Sequence, residues 1–278
     1  MGIKEHYEDT FTGVGGVKLY CQRYIVDEPK ATVVVVHGLG EHSGRYGNVI
    51  NALVPEGYNI FLYDLRGHGK SEGQRGHVYN FDHYIEDTRI FVENARDRTG
   101  LLTILLGHSM GGLIVLLFGE KYQDLIKLLV ASGPAVKIAV EVPKWKEAIG
   151  KFVSNIFPTL SMTNEIDPSL LSHDPVVVKE YENDPLVIRK VSARWFTEFL
   201  RAQKEVLENA HKLKLPLLLQ QGGDDQIVSP DGAKEFYERA GSEDKELKIY
   251  PGLYHEIYNE TEKEKVLSDL TEWLKKRI

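Results

Sequence analysis

Short apolar runs alternate with helical patterns along most of the chain. After the turn at Gly15 and Gly16, apolar and polar residues alternate through residues 17–25, which predicts a two-stranded antiparallel lead-in. Short apolar runs predict buried strands at residues 32–36, 59–63, 101–106 and 125–131. Helical patterns lie between these strands, at residues 46–53, 84–95 and 110–122. This alternation predicts an α/β fold, a mostly parallel central sheet with helices on both faces.

The alternation stops after Pro134. Residues 136–213 carry helical patterns interrupted by prolines, and no strand pattern. Strands are predicted again at 216–220 and 247–250, with a helix at 231–240 and a final helix that opens on the capping-box pattern Thr261-x-x-Glu264. We therefore predict a core in two parts, residues 1–135 and 214–278. Residues 136–213 form a helical cap over the edge where the strands end.

One stretch, residues 99–119, contains no Asp, Glu, Lys or Arg. An uncharged apolar run of this length is a candidate membrane span. However, the Gly-His-Ser-Met-Gly-Gly sequence at 107–112 interrupts it, and each half is too short to cross a bilayer. The two halves instead predict a buried strand followed by a buried helix.

Composition excludes several classes of function. The 278 residues are 42% hydrophobic and 27% charged, as in ordinary globular proteins, and the net charge of −7 offers no electrostatic footprint for nucleic acid. The single cysteine, Cys21, excludes an internal disulfide and a multi-cysteine zinc site. Residues 1–7 lack the apolar core of a signal peptide, so we expect a cytoplasmic protein. The histidines form no recognisable ligand set, and we expect neither metal nor cofactor.

The interrupting residues match a catalytic motif. Residues 107–111 read Gly-x-Ser-x-Gly between a predicted strand and a predicted helix, which is the context of a nucleophile elbow. Glycines are required because the turn is tight, and the N-terminus of the following helix favours the negative charge that develops during attack. Ser109 is therefore the candidate nucleophile.

A serine nucleophile needs a base and an acid, which should follow in that fold in the order acid, then histidine, each after a later strand. His255 is the one histidine between the last predicted strand and the last predicted helix. Two aspartates, Asp224 and Asp225, follow the strand before it. The Gly-x-x-Asp spacing from Gly222 favours Asp225, and Asp224 stays open as the alternative.

The loop at residues 37–40 follows a buried valine-rich strand. Its glycines allow close approach of the backbone, so the amides of Leu39 and Met110 are expected to form an oxyanion hole. Residues 38–44 also resemble a dinucleotide-binding fingerprint, but the third glycine is one position late. Residues 64–71 imitate a phosphate-binding loop but begin with Asp64 in place of glycine.

Five segments together resemble the monoacylglycerol lipase and lysophospholipase group of α/β-hydrolases. They are residues 37–46, 64–71, 107–112, 221–225 and 247–256, and the insertion adds only 183–187. The resemblance implies the α/β-hydrolase fold and a triad of Ser109, Asp225 and His255. It also implies a cap over an acyl-chain tunnel, and hydrolysis of monoacylglycerols through an acyl-enzyme.

The substrate side is less closely defined by the sequence. Arg45, Tyr46 and His108 are expected to line the pocket for the alcohol. The expected partner is a small lipid ester, but a lysophospholipase, a carboxylesterase or a peptidase would use the same triad, because specificity lies in the pocket walls. A non-catalytic lipid-binding protein of this fold is a further alternative, against which the intact motifs argue. The oligomeric state and the preferred chain length are not determined.

Aromatic residues of the predicted cap allow two interpretations. Trp145, Phe152 and Phe157 keep helical spacing. They either form a greasy path with transient contact to a membrane surface, or only pack the cap onto the sheet. With the first interpretation, the protein is expected to be peripheral at the membrane surface.

Overall fold

The computed structural model describes residues 2–139, 144–164 and 166–278, with the backbone alone for residues 144–148. Its strands are β1 (Ile3–Thr12), β2 (Lys18–Val26), β3 (Ala31–Val36), β4 (Tyr58–Tyr63), β5 (Thr103–His108), β6 (Leu128–Ser132), β7 (Ser161–Thr163), β8 (Lys190–Ser192), β9 (Leu217–Gly222) and β10 (Lys245–Tyr250). Its helices are α1 (Gly47–Leu53), α2 (Asp82–Thr99), α3 (Met110–Tyr122), α4 (Lys144–Ile156), α5 (Pro175–Asn183), α6 (Ala193–Asn209), α7 (Pro230–Arg239) and α8 (Lys263–Lys275).

Eight strands form one sheet in the order β1-β2-β4-β3-β5-β6-β9-β10. The pairs β1–β2 and β2–β4 are antiparallel, and every pair from β4 to β10 is parallel. β3 and β5 lie in the middle and are buried along their whole length, as expected for strands covered on both sides. The predicted antiparallel lead-in and mostly parallel sheet are confirmed.

Helices cover both faces of the sheet. Along β3, Val34 and Val36 pack into one apolar cluster with α2, α3, α6 and α7, whereas Val33 and Val35 pack into a second with α1 and α8. This division follows from the strand itself, since successive side chains point to opposite faces. Because these strands run parallel, their carboxyl ends share one edge of the sheet, where the loops after β3, β5, β9 and β10 meet.

The predicted cap, residues 136–213, contains α4, β7, α5, β8 and α6. The sequence shows no strand pattern in this insertion, but β7 and β8 form a short antiparallel pair within it. Each has three residues, one apolar between two polar, which is too short a stretch for the pattern to reveal a strand. α6 contributes Trp195, Phe199, Ala202 and Val206 to the core cluster beside α3. The domain boundary after residue 213 stays a prediction.

The start of the last helix differs from the expectation. Thr261 and Glu264 do not form a capping box, because α8 begins at Lys263, after Glu262, without a side-chain cap. The amide of Thr261 instead donates to the carboxylate of Glu260 (3.1 Å).

Among the helices of the described residues, none is long and apolar enough to cross a membrane.

Candidate active site

Ser109 stands alone between β5, which ends at His108, and α3, which begins at Met110. Its φ is 55° and its ψ −120°, a conformation that non-glycine residues rarely adopt. Glycines flank it because the space is closed: a Cβ on Gly107 would lie 2.2 Å from the Gly111 carbonyl oxygen. The turn predicted from the motif is present, with the serine at the N-terminus of a helix.

The loops after β9 and β10 bring an aspartate and a histidine to this serine. The Nε2 atom of His255 lies 2.9 Å from Oγ of Ser109, and its Nδ1 lies 2.7 Å from Oδ2 of Asp225. The other oxygen of Asp225 accepts the amides of Ile227 (2.9 Å) and Val228 (3.0 Å). These bonds orient the carboxylate toward the imidazole.

The neighbouring aspartate points elsewhere. Asp224 is exposed, whereas Asp225 is 5% exposed and His255 is 3% exposed. The structure therefore brings half-buried Ser109 and buried His255 and Asp225 together in one line of hydrogen bonds and leaves Asp224 in solvent. Of the two candidates that the spacing left open, the geometry supports Asp225.

The electrostatics of the two buried histidines differ. Burial lowers the pKa of His255, but the Asp225 carboxylate and its hydrogen bond outweigh burial and raise that pKa above its ordinary value. His108 has its ring centroid 4.8 Å from that of His255, and burial holds the pKa of His108 well below the usual range. His255 is therefore the group that can take and hold a proton here, and His108 stays neutral.

The loop after β3 runs directly beside the serine. A Cβ on Gly38 would lie 2.9 Å from Cβ of Ser109, so Leu39 follows at the edge of the site. Met110, the first residue of α3, directs its amide from the helix N-terminus, where such groups have no intrahelical acceptor. Met110 thus follows Ser109 directly in the chain, and Leu39 follows the glycine that packs against Ser109.

His37 holds the start of this loop. Its Nε2 accepts the amide of Leu65 (2.9 Å), which leaves Nδ1 to donate to the carbonyl of Gly38 (2.8 Å). Burial lowers the pKa of His37 to about 3, so the ring stays neutral and keeps both bonds. Neutral His37 therefore links the loop after β3 to Leu65 in the segment after β4.

Two of the predicted alcohol-side residues bind protein groups. Tyr46 donates its hydroxyl to Oε1 of Glu41 (2.8 Å), and the same oxygen accepts the amide of Gly38 (2.6 Å). Arg45 donates Nη2 to both oxygens of Glu256 (2.7 and 2.9 Å), and its Nε lies 3.7 Å from Glu41. Arg45 and Tyr46 are therefore part of a buried ionic cluster behind the loop.

Glu41 and Glu256 are functional candidates that the motif reasoning missed. Glu41 is 5% exposed and Glu256 4% exposed. Burial and the charge of Glu256 raise the pKa of Glu41, and Arg45 opposes them. A signal was present, because Glu41 lies within residues 37–46 and Glu256 follows His255, but nothing in the sequence pairs either carboxylate with Arg45.

The insertion contacts the loop after β3 around residues 183–187, the segment of the insertion that resembles the lipase group. The Nε2 atom of His42 lies 2.8 Å from Oδ2 of Asp184, and the Ile188 amide donates to the Gly40 carbonyl (3.0 Å). The guanidinium of Arg45 lies 4.8 Å from the ring centre of Tyr181. Residues 181–188 therefore dock on this loop.

The cap aromatics do not all pack inward. Phe152 is 65% exposed and Phe157 is 61% exposed, and Ile149 and Ile156 on the same helix are more than half exposed. The interpretation that these phenylalanines only pack the cap onto the sheet is wrong. The side chain of Trp145 lies outside the described residues.

In the described part of the chain, no group of three or more His, Cys, Asp or Glu side chains is arranged to hold a metal ion.

Comparisons with known proteins agree on one relationship. The family model described as serine aminopeptidase, S33, matches residues 27–262. The chain is 37% identical over 270 residues to a monoacylglycerol lipase from Mycolicibacterium smegmatis, covering 96% of both chains. It is 33% identical over 242 residues to a phospholipase from Bacillus subtilis, covering 86% of this chain and 93% of the relative. The crystal structure of Paleococcus ferrophilus monoacylglycerol lipase matches with a TM-score of 0.87 and 36% identity, covering 94% of this chain and 99% of the other.

Proposed function

The chain belongs to the serine aminopeptidase S33 family of α/β-hydrolases, and from that premise we propose that it hydrolyses monoacylglycerols to fatty acid and glycerol. The observation that carries this proposal is the line of hydrogen bonds from Ser109 through His255 to Asp225, with distances of 2.9 and 2.7 Å. Such a line activates a hydroxyl for attack on a carbonyl.

The reaction proceeds in two halves. Oγ of Ser109 attacks the ester carbonyl while Nε2 of His255 takes its proton, and Asp225 stabilises the imidazolium. His255 then protonates the glycerol oxygen as the ester C–O bond breaks, which leaves an acyl-enzyme. Water attacks the acyl-enzyme with His255 again as base, and the fatty acid leaves as Ser109 regains its proton.

The negative charge on the carbonyl oxygen is stabilised by the amides of Leu39 and Met110. Removing one such donor from an oxyanion hole costs about 10²- to 10³-fold in rate in other enzymes. Leu39 follows Gly38, which packs against Ser109, and Met110 lies at a helix N-terminus, and both positions support this assignment. The bond from Gly38 to Glu41 keeps the loop in place.

The lipid substrate is supported by relatives over the whole chain. A monoacylglycerol lipase aligns over 96% of the chain. An uncharged glycerol ester is also compatible with the net charge of −7. A phospholipase relative favours lysophospholipids as the alternative substrate class. We place the alcohol beside Arg45, Tyr46 and His108. Because Arg45 and Tyr46 bind Glu256 and Glu41, they shape this pocket mainly by holding its walls.

Contact with a lipid surface through α4 and the residues after it is part of the proposal. Ile149, Phe152, Ile156 and Phe157 are each more than half exposed. The first three are spaced by three and four residues along α4, and Phe157 follows its last residue directly. Such an apolar stripe on a surface helix is typical of segments that lie in the membrane interface. The occupant we assign to this stripe is a bilayer surface that carries the substrate.

Rates on a panel of substrates test the proposed function. The panel comprises monoacylglycerols, lysophospholipids, p-nitrophenyl esters and aminoacyl amides, with Ser109→Ala as the control for each. We expect the highest kcat/KM on monoacylglycerols, covalent labelling of the wild type by a fluorophosphonate, and neither turnover nor labelling in Ser109→Ala. Faster turnover of lysophospholipids would move the assignment to that class, and near-wild-type activity of Ser109→Ala would exclude the mechanism.

A further inference from the structure

Glu260 is a fully buried carboxylate that belongs to none of the motifs. Its side chain is 0% exposed. Oε1 accepts the Tyr254 amide (2.8 Å) and lies 2.8 Å from Nδ1 of His173. Oε2 accepts the amides of His173 (3.0 Å) and Thr261 (3.1 Å), and the hydroxyl of Ser172 (3.3 Å). Five hydrogen bonds therefore converge on one side chain.

The partners of Glu260 come from two segments that are far apart in the sequence. Tyr254 immediately precedes His255 in the irregular segment 251–262 between β10 and α8, here called the histidine loop. Ser172 and His173 belong to the insertion, in the segment 171–173, here called the cap strap. Glu260 therefore binds the histidine loop at the residue before the base and binds the cap strap with the same carboxylate.

Further contacts join the same two segments on the other side of His255. The Glu256 amide donates to the carbonyl of Leu171 (2.8 Å). The Ser172 hydroxyl shares its one hydrogen between Glu260 and the carbonyl of Asn259 (3.0 Å). The ring of His173 stacks on Tyr254, with centroids 3.7 Å apart and planes at 29°. The cap strap thus contacts the loop both before and after His255.

An ionised carboxylate is the group that suits this position. A carboxylate presents only acceptors, and the donors around Glu260 are amides, a hydroxyl and a histidine ring. Burial raises the pKa of Glu260, but these hydrogen bonds outweigh it and lower that pKa below its ordinary value. A glutamine has the same shape, yet its NH₂ group would face N–H donors and leave a buried donor unsatisfied.

We propose that Glu260 is a positioning residue for His255, holding the histidine loop through the Tyr254 amide and tying it to the cap strap. The proposal rests on His255 being the base of the proposed function. The histidine loop has no strand or helix of its own to define it, so its hydrogen bonds to other segments and the carboxylate of Glu260 within it set where the imidazole lies. A base displaced by a fraction of an ångström from its nucleophile loses rate without losing substrate affinity.

Active-site titration separates this role from a purely structural one. Glu260→Gln and Glu260→Asp are compared with Asp87→Asn, which alters another fully buried carboxylate that binds Arg66 and the Val14 amide. Fluorophosphonate titration gives the concentration of competent sites in each preparation. Rates on a soluble short-chain ester and the second-order rate of labelling are then expressed per competent site.

We expect Glu260→Gln and Glu260→Asp to lower kcat per site and the labelling rate by about tenfold or more, with KM changed less than twofold. Asp87→Asn should lower the melting temperature and leave both rates per site unchanged. Rates per site within twofold of wild type in Glu260→Gln would overturn the proposal, whatever its melting temperature. Labelling does not require the correct ester, so a wild type that labels rapidly but cleaves no monoacylglycerol would refute the substrate and not the positioning role.

Variants of the cap strap keep the test decisive where Glu260 variants do not fold. His173→Phe retains a ring to stack on Tyr254 but loses the Nδ1 bond, and His173→Ala loses both. We expect about a threefold lower labelling rate per site in His173→Phe and a larger loss in His173→Ala, because the link through Glu260 is weakened. Wild-type labelling rates in both variants would refute the coupling of cap strap and histidine loop.

Discussion

Oδ2 of Asp225 lies 2.7 Å from Nδ1 of His255, while Asp224, one residue earlier, is exposed. The two aspartates are adjacent in the chain and identical in chemistry, so they form a natural matched pair. Asp225 is further bound by two amides of its own loop, which leaves it one orientation toward the imidazole.

Replacing each aspartate by asparagine should therefore have opposite consequences. Asp225→Asn presents an amide to Nδ1, favours the wrong tautomer of His255, and should lower kcat by about 10⁴-fold. Asp224→Asn should leave kcat within twofold of the wild type. Steady-state kinetics on a short-chain ester measure both, and the reverse ranking would show that Asp224 is the acid.

The pH dependence of activity should follow His255. The base must be neutral to take the serine proton, and Asp225, with smaller contributions from Glu256 and Glu41, raises the pKa of His255 against the effect of burial. We therefore expect kcat/KM to fall as the pH drops through a midpoint above 6.5, the ordinary histidine value. A profile from pH 5 to 9 measures the midpoint, with Asp224→Asn as a control that should not move it; a midpoint below 6.5 would contradict the assignment.

The same pKa shift has a consequence for stability. A group whose folded pKa is raised binds protons more tightly in the folded protein. His255 therefore contributes stability that is fully present below its ordinary pKa and is lost as the pH rises through the raised value. Its contribution to folding and its readiness as a base thus change in opposite directions with pH.

Removal of Arg45 should destabilise the fold strongly. Arg45→Met leaves the buried carboxylates of Glu41 and Glu256 without their shared cation, which costs about 3–5 kcal/mol at neutral pH. Burial and the charge of Glu256 raise the pKa of Glu41 and Arg45 lowers it, so without the cation the folded pKa of Glu41 rises further. The loss of stability should therefore shrink as the pH falls and Glu41 takes up a proton. Urea unfolding at pH 8 and pH 5 measures this.

Arg239→Met is the matched control for this comparison. Arg239 pairs with Glu235 on the surface of α7, with half of its side chain exposed, and its loss should cost less than about 1 kcal/mol at either pH. Equal costs for the two variants would mean that the cluster behind the loop is solvated and does not require Arg45.

A methyl group at position 111 should disrupt the nucleophile elbow. A Cβ on Gly111 would lie 2.1 Å from the Val36 carbonyl oxygen and 2.5 Å from that of His37, and neither backbone group can yield without moving β3. Gly111→Ala should lower the free energy of unfolding by about 3 kcal/mol or more. Gly47→Ala, at the open first turn of α1, should be neutral or slightly stabilising. Chemical denaturation compares them, and a stable Gly111→Ala would refute the close packing.

Binding to lipid vesicles should depend on the exposed stripe of α4. Phe152→Ser/Phe157→Ser removes two exposed aromatic side chains and should lower the vesicle-bound fraction by about tenfold or more. Turnover of vesicle-borne monoacylglycerol should fall with it, while hydrolysis of a soluble ester stays unchanged. Leu102→Ser, also exposed but at the opposite end of β5 from Ser109, is the control. Unaltered vesicle binding in the double variant would refute the proposed membrane contact.

Much of this molecule could be predicted from local patterns. Apolar runs located the parallel strands because a strand buried on both faces must be apolar throughout, as β3 is. The glycines around Ser109 indicated a tight turn, because such a turn leaves no room for a larger side chain. β7 and β8 could not be detected because three residues are too few for an alternation of polar and apolar positions to be recognised.

The sequence by itself therefore determined the class of fold, and it indicated a candidate nucleophile and the loops from which its base and acid should come, because these depend on short-range spacing and steric limits. Only the tertiary structure decided which carboxylates serve the site indirectly. Glu41, Glu256 and Glu260 each bind groups that arrive from other segments, and Glu260 takes the amide of Thr261 that the capping-box pattern assigned to a helix start. A buried carboxylate is stable only where enough donors converge, and that convergence exists only once distant parts of the chain have packed together.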